Sequence, residues 1–215
     1  MSRIRQIFQI RTEKVIPFLT AGYPSKDETL KMVLAAEKAG AAMVELGMPF
    51  SDPLADGPII QESSQRAIEN GVTISWILKT VAEIRKQSDI PLVLMGYINP
   101  IIKYGLEEFI TECSNSGVDG LIIPDLPPEE ASEYVDLARN NIICPILLVA
   151  PNSSPNRIKE ISDMAKELIY CVAILGITGS SSAVDKELRA YLSMVDENSS
   201  CPFVVGFGIK NRSDV

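Results

Sequence analysis

Seven short apolar runs recur along the chain, and they constrain its fold more than any other feature of the sequence. The runs lie at residues 15–19, 43–48, 91–95, 121–124, 146–150, 168–174 and 203–205. Runs that are apolar on both faces are typical of strands buried in a parallel sheet. Amphipathic stretches at 26–39, 106–116, 129–138 and 156–166 have apolar residues at spacings of three and four, which predicts helices. The chain is therefore predicted to alternate strand and helix.

This alternation requires crossover connections, which form either an open doubly wound sheet or a closed eightfold barrel. Seven similar units favour the barrel. A complete barrel usually takes about 250 residues, whereas this chain has 215. We therefore expect a single α/β domain over residues 1–215, a (β/α)8 TIM barrel that lacks its eighth βα unit. The longer gap between the second and third strands leaves room for an extra helix.

Turn-forming residues mark the predicted helix boundaries. Helices are expected to begin after the Pro-containing or Ser-containing turns at 24–27, 127–130 and 153–155. Gly40 and Gly117 each stand just before a strand, where a left-handed residue ends a helix at little cost. In both architectures the chemistry is expected in loops that follow the C-terminal ends of the strands.

Charge and composition exclude several classes of function. The chain has 20 Lys and Arg residues against 28 Asp and Glu residues, and its formal charge is -8. No nucleic-acid partner is expected, because phosphate backbones are held by clustered Lys and Arg. The sequence contains no histidine, which removes Ser-His-Asp and Cys-His catalysis. Acid–base chemistry therefore falls to carboxylates, Tyr, Lys or Cys.

No run approaches the roughly 20 apolar residues of a membrane span, and residues 1–6 lack the apolar segment of a signal peptide. A cytoplasmic protein without membrane contact is expected.

The four cysteines are scattered without CxxC spacing, and their positions predict buried free thiols rather than disulfides or a metal site.

Glu45 interrupts the apolar run 43–48, and it is the first candidate for chemistry. On a strand it shares one face with Met43 and Gly47. If that face lines the interior of the barrel, burial raises the pKa of the carboxyl, which can then give and take a proton near neutrality. A glutamate paired with Lys or Arg at a strand end is the other interpretation.

The segment 49–58 follows directly and contains Asp52 and Asp56. Three prolines and a glycine within ten residues predict a long turn-rich loop where active sites lie in such folds. Either aspartate can instead cap a turn through its own backbone, and this structural role is favoured for Asp52. A functional role for Asp56 needs other support.

Glycines near the end of the chain predict a phosphate site. Gly206 and Gly208 follow the seventh strand and precede a polar helix start, so backbone amides there suit an anion. A plain turn is the alternative, but the position is the usual phosphate site of a barrel. The Gly- and Ser-rich segment 176–182 is interpreted either as a lid or as a passive loop.

Four polar residues at strand ends complete the predicted mouth of the site. Tyr97 and Asn99 follow the third strand, Asp125 follows the fourth, and Tyr170 lies in the sixth. For Tyr170 a plain core aromatic is the alternative interpretation.

These motifs resemble the alpha subunits of tryptophan synthase. The resemblance rests on residues 17–24 (PFLTAGYP), 44–61 (VELGMPFSDPLADGPIIQ), 176–179 (GITG) and 206–209 (GFGI). The second motif is highly specific, and the resemblance runs in order over essentially the whole chain. It implies a lyase of tryptophan biosynthesis that cleaves indole-3-glycerol phosphate to indole and glyceraldehyde 3-phosphate by a retro-aldol reaction without a cofactor in this subunit.

The same resemblance implies a catalytic pair and a set of substrate contacts. Glu45 would be the proton donor and acceptor, and Asp56 would accept a hydrogen bond from the indole N–H. The implied substrate contacts are Phe18 at the indole, Tyr170 near the reacting centre, Thr178 in the lid against Asp56, and Gly179 and Gly208 at the phosphate. Tyr97, at the predicted mouth of the site, is also expected to bind substrate.

The family implies a partner as well. A beta subunit carrying pyridoxal phosphate would receive the indole within a heterotetramer, and two predicted loops, residues 49–58 and 97–104, would contact it. Two departures leave an alternative open: nothing corresponds to the family's eighth strand, and Ala-Ile-Leu at 173–175 replaces its usual Ser-Arg. The alternative is a catalytically impaired alpha-type subunit that activates the beta subunit.

A Schiff-base aldolase would need a buried lysine, which no predicted strand contains.

Overall fold

The computed structural model describes residues 2–9, 14–53, 56–173 and 181–206. The chain divides into two compact units, Met1–Pro145 and Ile146–Val215. The prediction of one domain over 1–215 stays a prediction. Within the described residues, none of the helices combines the length and the apolar character needed to cross a bilayer.

The first unit alternates strands and helices around one parallel sheet. Its strands are β1 (Phe18–Thr20), β2 (Val44–Gly47), β3 (Leu92–Met95) and β4 (Gly120–Ile122). Its helices are α1 (Arg3–Ile7), α2 (Lys26–Lys38), α3 (Pro58–Glu69), α4 (Ile74–Arg85), α5 (Ile98–Tyr104), α6 (Leu106–Ser116) and α7 (Ser132–Asn140). Each strand pairs in parallel with the next, so the order in space is the order in sequence. Strands β2, β3 and β4 are buried along their whole length, as continuous apolar runs predict.

The second unit repeats the pattern. It contains most of β5 (Cys144–Val149), followed by α8 (Pro155–Ala165), β6 (Ile169–Val172), α9 (Ser181–Asn198) and β7 (Phe203–Gly206). Strands β5, β6 and β7 are parallel neighbours in that order.

All four cysteines of the chain are buried with free thiols, as predicted.

The seven predicted strands are confirmed, and the bounds of several elements differ from the predictions. Strand β1 begins at Phe18, and Val15 is exposed before it. The helix predicted from residue 129 begins at Ser132, because a turn closed by the Glu130 N–H on the Pro127 carbonyl precedes it. The long gap between β2 and β3 holds two helices, α3 and α4, so the extra helix predicted there is confirmed.

Helix ends follow the predicted chemistry at two positions and depart from it at two others. Gly40 and Gly117 adopt φ of 93° and 89°, the left-handed conformation expected of them. Ile142 and Lys166 follow α7 and α8 with φ of 62° and 68°. A β-branched residue rarely adopts that conformation, so sequence patterns give no sign of these exits.

A buried ion-pair network holds the N-terminal ends of β3 and β4. Asp119 is 7% exposed and its carboxylate binds the Arg85 guanidinium. It also accepts the Leu92 N–H at 2.8 Å and the Arg3 guanidinium at 3.1 Å. Arg85 in turn donates to the backbone carbonyl of Gly117 at 2.7 Å. Two strands and two helices therefore meet at one carboxylate.

We expect Asp119→Ala to destabilise the protein by about 3–5 kcal/mol, because it leaves the buried Arg85 charge without its partner. The measurement is urea-induced unfolding followed by circular dichroism. Asp89→Ala is the matched control, since Asp89 also pairs with Arg3 but is 92% exposed, and it should leave the unfolding midpoint unchanged. Equal midpoints for the two variants would contradict the role assigned to Asp119.

Candidate active site

Glu45 lies on β2 among apolar neighbours. It pairs in register with Phe18 on β1 and with Val93 on β3. Paired residues of parallel strands project from the same face of a sheet, so these three side chains stand side by side. The Glu45 side chain is only 5% exposed. The sequence-based prediction of a buried glutamate on this strand is confirmed.

Burial is the cause of an unusual pKa. It raises the pKa of the Glu45 carboxyl from 4.5 to about 7, because a low-dielectric surrounding disfavours the charged form. Among the described residues, neither a cation nor a hydrogen-bond donor contacts this carboxylate. The alternative interpretation, an ion pair at a strand end, is therefore wrong for this part of the chain. A carboxyl with this pKa is populated in both protonation states at neutral pH.

Phe18 presents an aromatic surface beside the carboxyl. Its ring lies over Gly47 so closely that a Cβ at position 47 would overlap it. Because Phe18 pairs with Glu45 and Gly47 is two residues further along β2, the ring and the carboxyl border the same space. A residue without a Cβ at position 47 is therefore needed for the ring to approach the strand this closely. The sequence motif contains this glycine but does not show why it is needed.

Asp56 and Tyr97 are brought together from two different strand ends. Asp56 lies before α3, and Tyr97 lies between β3 and α5. The Tyr97 hydroxyl donates a hydrogen bond to the Asp56 carboxylate. Burial raises the pKa of Asp56, and the Tyr97 hydrogen bond opposes that rise because it stabilises the charged form. The Tyr97 ring packs against Phe50, with 5.5 Å between centroids, a contact that sequence reasoning missed.

Two of the other candidates near strand ends, Asp52 and Asp125, have hydrogen-bond partners. Asp52 is exposed and accepts the Ser51 hydroxyl, and the backbone turn cap favoured for it stays a prediction. Asp125 accepts the Ile98 N–H at 2.9 Å. Asn99 lies exposed within α5, so residues 98–104 are a helix rather than the predicted loop.

The second unit contains two described candidates, Tyr170 and Gly206. Tyr170 lies on β6 at 5% exposure, and its ring passes over Gly206, where a Cβ would overlap the phenol. Gly206 is the last residue of β7 rather than a residue after that strand. Thr178, Gly179 and Gly208 lie outside the described residues, and so do residues 176–180 of the predicted lid segment 176–182.

Comparisons with known proteins agree on one family. The family model for the tryptophan synthase alpha chain matches residues 5–215. The tryptophan synthase alpha chain of Petrotoga mobilis is 47% identical over 97% of this chain and 81% of its own length. That of Clostridium kluyveri is 48% identical over 93% of this chain and 75% of its own.

Solved structures give the same result. A chain of the tryptophan synthase α2β2 complex from Pyrococcus furiosus has a TM-score of 0.87 at 40% identity, covering 94% of this chain and 81% of its own. The tryptophan synthase alpha chain from Legionella pneumophila has a TM-score of 0.90 at 34% identity, covering 100% and 80%. The TIM-barrel fold class predicted from the sequence is confirmed by this likeness.

The buried Glu45 carboxyl should make stability fall as pH rises. Between pH 4.5 and about 7 the folded state holds a proton that the unfolded chain has released. Ionisation of this one group should therefore lower the free energy of unfolding by about 3 kcal/mol across that window, at about 1.4 kcal/mol per pH unit. Glu45→Gln removes this loss, so its stability relative to the parent should grow by that amount as pH rises.

Urea unfolding of both proteins at several pH values across the window measures this difference. Glu133→Gln is the control, because Glu133 is exposed on α7. Its stability should follow that of the parent at every pH. Stability curves of Glu45→Gln and parent that stay parallel would show that the carboxyl titrates normally.

Proposed function

The chain belongs to the tryptophan synthase alpha chain family, and on that premise we propose that it is an indole-3-glycerol-phosphate lyase. Its products would be indole and glyceraldehyde 3-phosphate. The observation that carries the proposal is the buried Glu45 carboxyl, with its pKa of about 7. The reaction needs an acid and then a base at one place, and a carboxyl with that pKa can act as both.

The proposed reaction proceeds in two proton transfers. Protonated Glu45 first delivers its proton to carbon 3 of the indole, which places a positive charge on the ring nitrogen. The resulting carboxylate then takes the proton of the adjacent glyceryl hydroxyl. The carbon–carbon bond breaks as the aldehyde forms, and its electron pair returns to the ring. Glu45 ends protonated, so the cycle balances without a redox partner.

Asp56 is proposed to stabilise the charge that develops between these steps. Its carboxylate would accept a hydrogen bond from the indole N–H, which becomes more acidic as the ring becomes cationic. The Tyr97 hydroxyl, which donates to Asp56, would keep that carboxylate ionised and oriented. Phe18 would offer its ring face to the indole, and Gly47 leaves room for that placement.

The other proposed contacts come from the family resemblance alone. Tyr170 would lie near the reacting centre, Thr178 would meet Asp56 when the lid closes, and Gly179 and Gly208 would donate backbone N–H groups to the phosphate. No cofactor is proposed for this chain.

A beta subunit is the proposed partner. The similar Pyrococcus furiosus protein belongs to an α2β2 complex, and a corresponding heterotetramer would pass indole to a beta subunit that carries pyridoxal phosphate. The predicted contact segments each carry or adjoin an exposed isoleucine. Ile59 on α3 is 81% exposed, and Ile102 on α5 is 63% exposed. In the proposed complex the beta subunit would cover both side chains.

We expect Glu45→Gln to lower single-turnover indole release by a factor of about 10² to 10⁴, the usual contribution of a general acid–base group. Substrate should still bind, because the amide has nearly the shape of the carboxyl, and isothermal titration calorimetry measures that binding. Glu133→Gln should release indole at the parental rate. Parental activity in Glu45→Gln would refute the role of Glu45, and a parent chain that only stimulates a beta subunit would refute the lyase.

A further inference from the structure

We propose that Asp125 is a positioning residue for the Asp56 carboxylate, acting through the start of α5 and Tyr97. The hydrogen bond that Asp125 makes does not depend on which reaction the protein catalyses. The effect of that bond on turnover rests on the proposed function. Asp125 follows β4, Tyr97 follows β3 and Asp56 follows β2. Three neighbouring strand ends would thus be joined by one chain of contacts.

The first link is a hydrogen bond between neighbouring loops. The Oδ1 atom of Asp125 accepts the N–H of Ile98, the first residue of α5, at 2.9 Å. The first N–H groups of a helix have no partner within it, and Tyr97 at the N-cap position supplies no side-chain bond of its own. A side chain at the N-cap position usually accepts such an N–H. Here Asp125, which follows the neighbouring strand β4, is the acceptor instead.

The second link is the orientation of Tyr97. Its backbone immediately precedes the Ile98 N–H that Asp125 holds, and its buried ring packs against Phe50 at 5.5 Å between centroids. With the backbone fixed at one end and the ring fixed by Phe50, the hydroxyl is directed at the Asp56 carboxylate. Release of the Ile98 N–H would free the backbone that carries the ring.

The third link is the freedom of the Asp56 side chain. The Gln61 amide donates to the backbone carbonyl of Asp56 at 2.8 Å, which anchors the main chain and leaves the carboxylate to other donors. Among the described residues, Tyr97 is the side chain that bonds this carboxylate. The orientation of Asp56 should therefore depend on Tyr97, and through Tyr97 on Asp125.

A measurement on the ligand-free chain tests the links without reference to activity. The carboxyl carbon resonance of Asp56 in ¹³C-aspartate-labelled protein should shift in Asp125→Ala in the direction produced by Tyr97→Phe. Asp125→Asn keeps an acceptor oxygen and should leave the resonance in place. Glu130→Ala, which removes an exposed carboxylate from the same loop, should do the same. If Asp125→Ala does not fold, Asp125→Leu, with nearly the size of Asp, replaces it.

Turnover of indole-3-glycerol phosphate tests the consequence. We expect Asp125→Ala to lower kcat about tenfold, as for one lost hydrogen bond to a charged group, with KM changed by less than about twofold. Asp125→Asn should restore the parental kcat. The double variant Asp125→Ala/Tyr97→Phe should be no slower than Tyr97→Phe alone, because both substitutions act on one contact.

The two measurements separate the two claims. The positioning role is overturned if the Asp56 resonance is unchanged in Asp125→Ala. It is also overturned if kcat of the double variant falls by the product of the two single-variant factors. The lyase proposal stands in either case. A parent chain that releases no indole overturns the lyase proposal, and a shifted Asp56 resonance in that chain still supports the positioning role.

Discussion

The burial of one carboxyl without a compensating charge is the constraint on which the site depends. Glu45 occupies a strand position that apolar side chains fill elsewhere in the sheet, and its neighbours in register are Phe18 and Val93. Such a placement costs stability when the group is ionised. That cost gives the group a pKa of about 7 and hence the capacity to act as acid and base in turn.

The first unit separates the groups that stabilise it from the groups that are available for chemistry. At the N-terminal ends of β3 and β4, one oxygen of Asp119 accepts from Arg85 and from the Leu92 N–H, and the other oxygen accepts from Arg3. Beyond the C-terminal end of β2, Asp56 accepts a hydrogen bond from a neutral hydroxyl, and within β2 Glu45 has no ion-pair partner among the described residues. Parallel strands allow this division because all their C-terminal ends lie at one edge.

Sequence patterns predicted the parts of this arrangement that depend on local periodicity. The seven strands, the interrupting Glu45 and the left-handed Gly40 and Gly117 all followed from spacing and residue type. Contacts between distant segments could not be predicted that way. The Tyr97 hydroxyl on Asp56, the Asp125 bond to Ile98 and the close approach of Phe18 to Gly47 depend on how neighbouring strands and their loops are arranged in space. The left-handed Ile142 could not be predicted from local patterns, because a β-branched residue rarely adopts that conformation.

The most direct test of the central claim is the titration of Glu45 itself. Carbon-13 NMR of the glutamate carboxyl resonances, with Glu45→Gln used to assign the signal, follows that titration in the ligand-free protein. The structure predicts a midpoint near pH 7. A midpoint near the ordinary 4.5 would mean that the carboxyl is solvated or paired, and it would contradict both the buried site and the chemistry proposed for it.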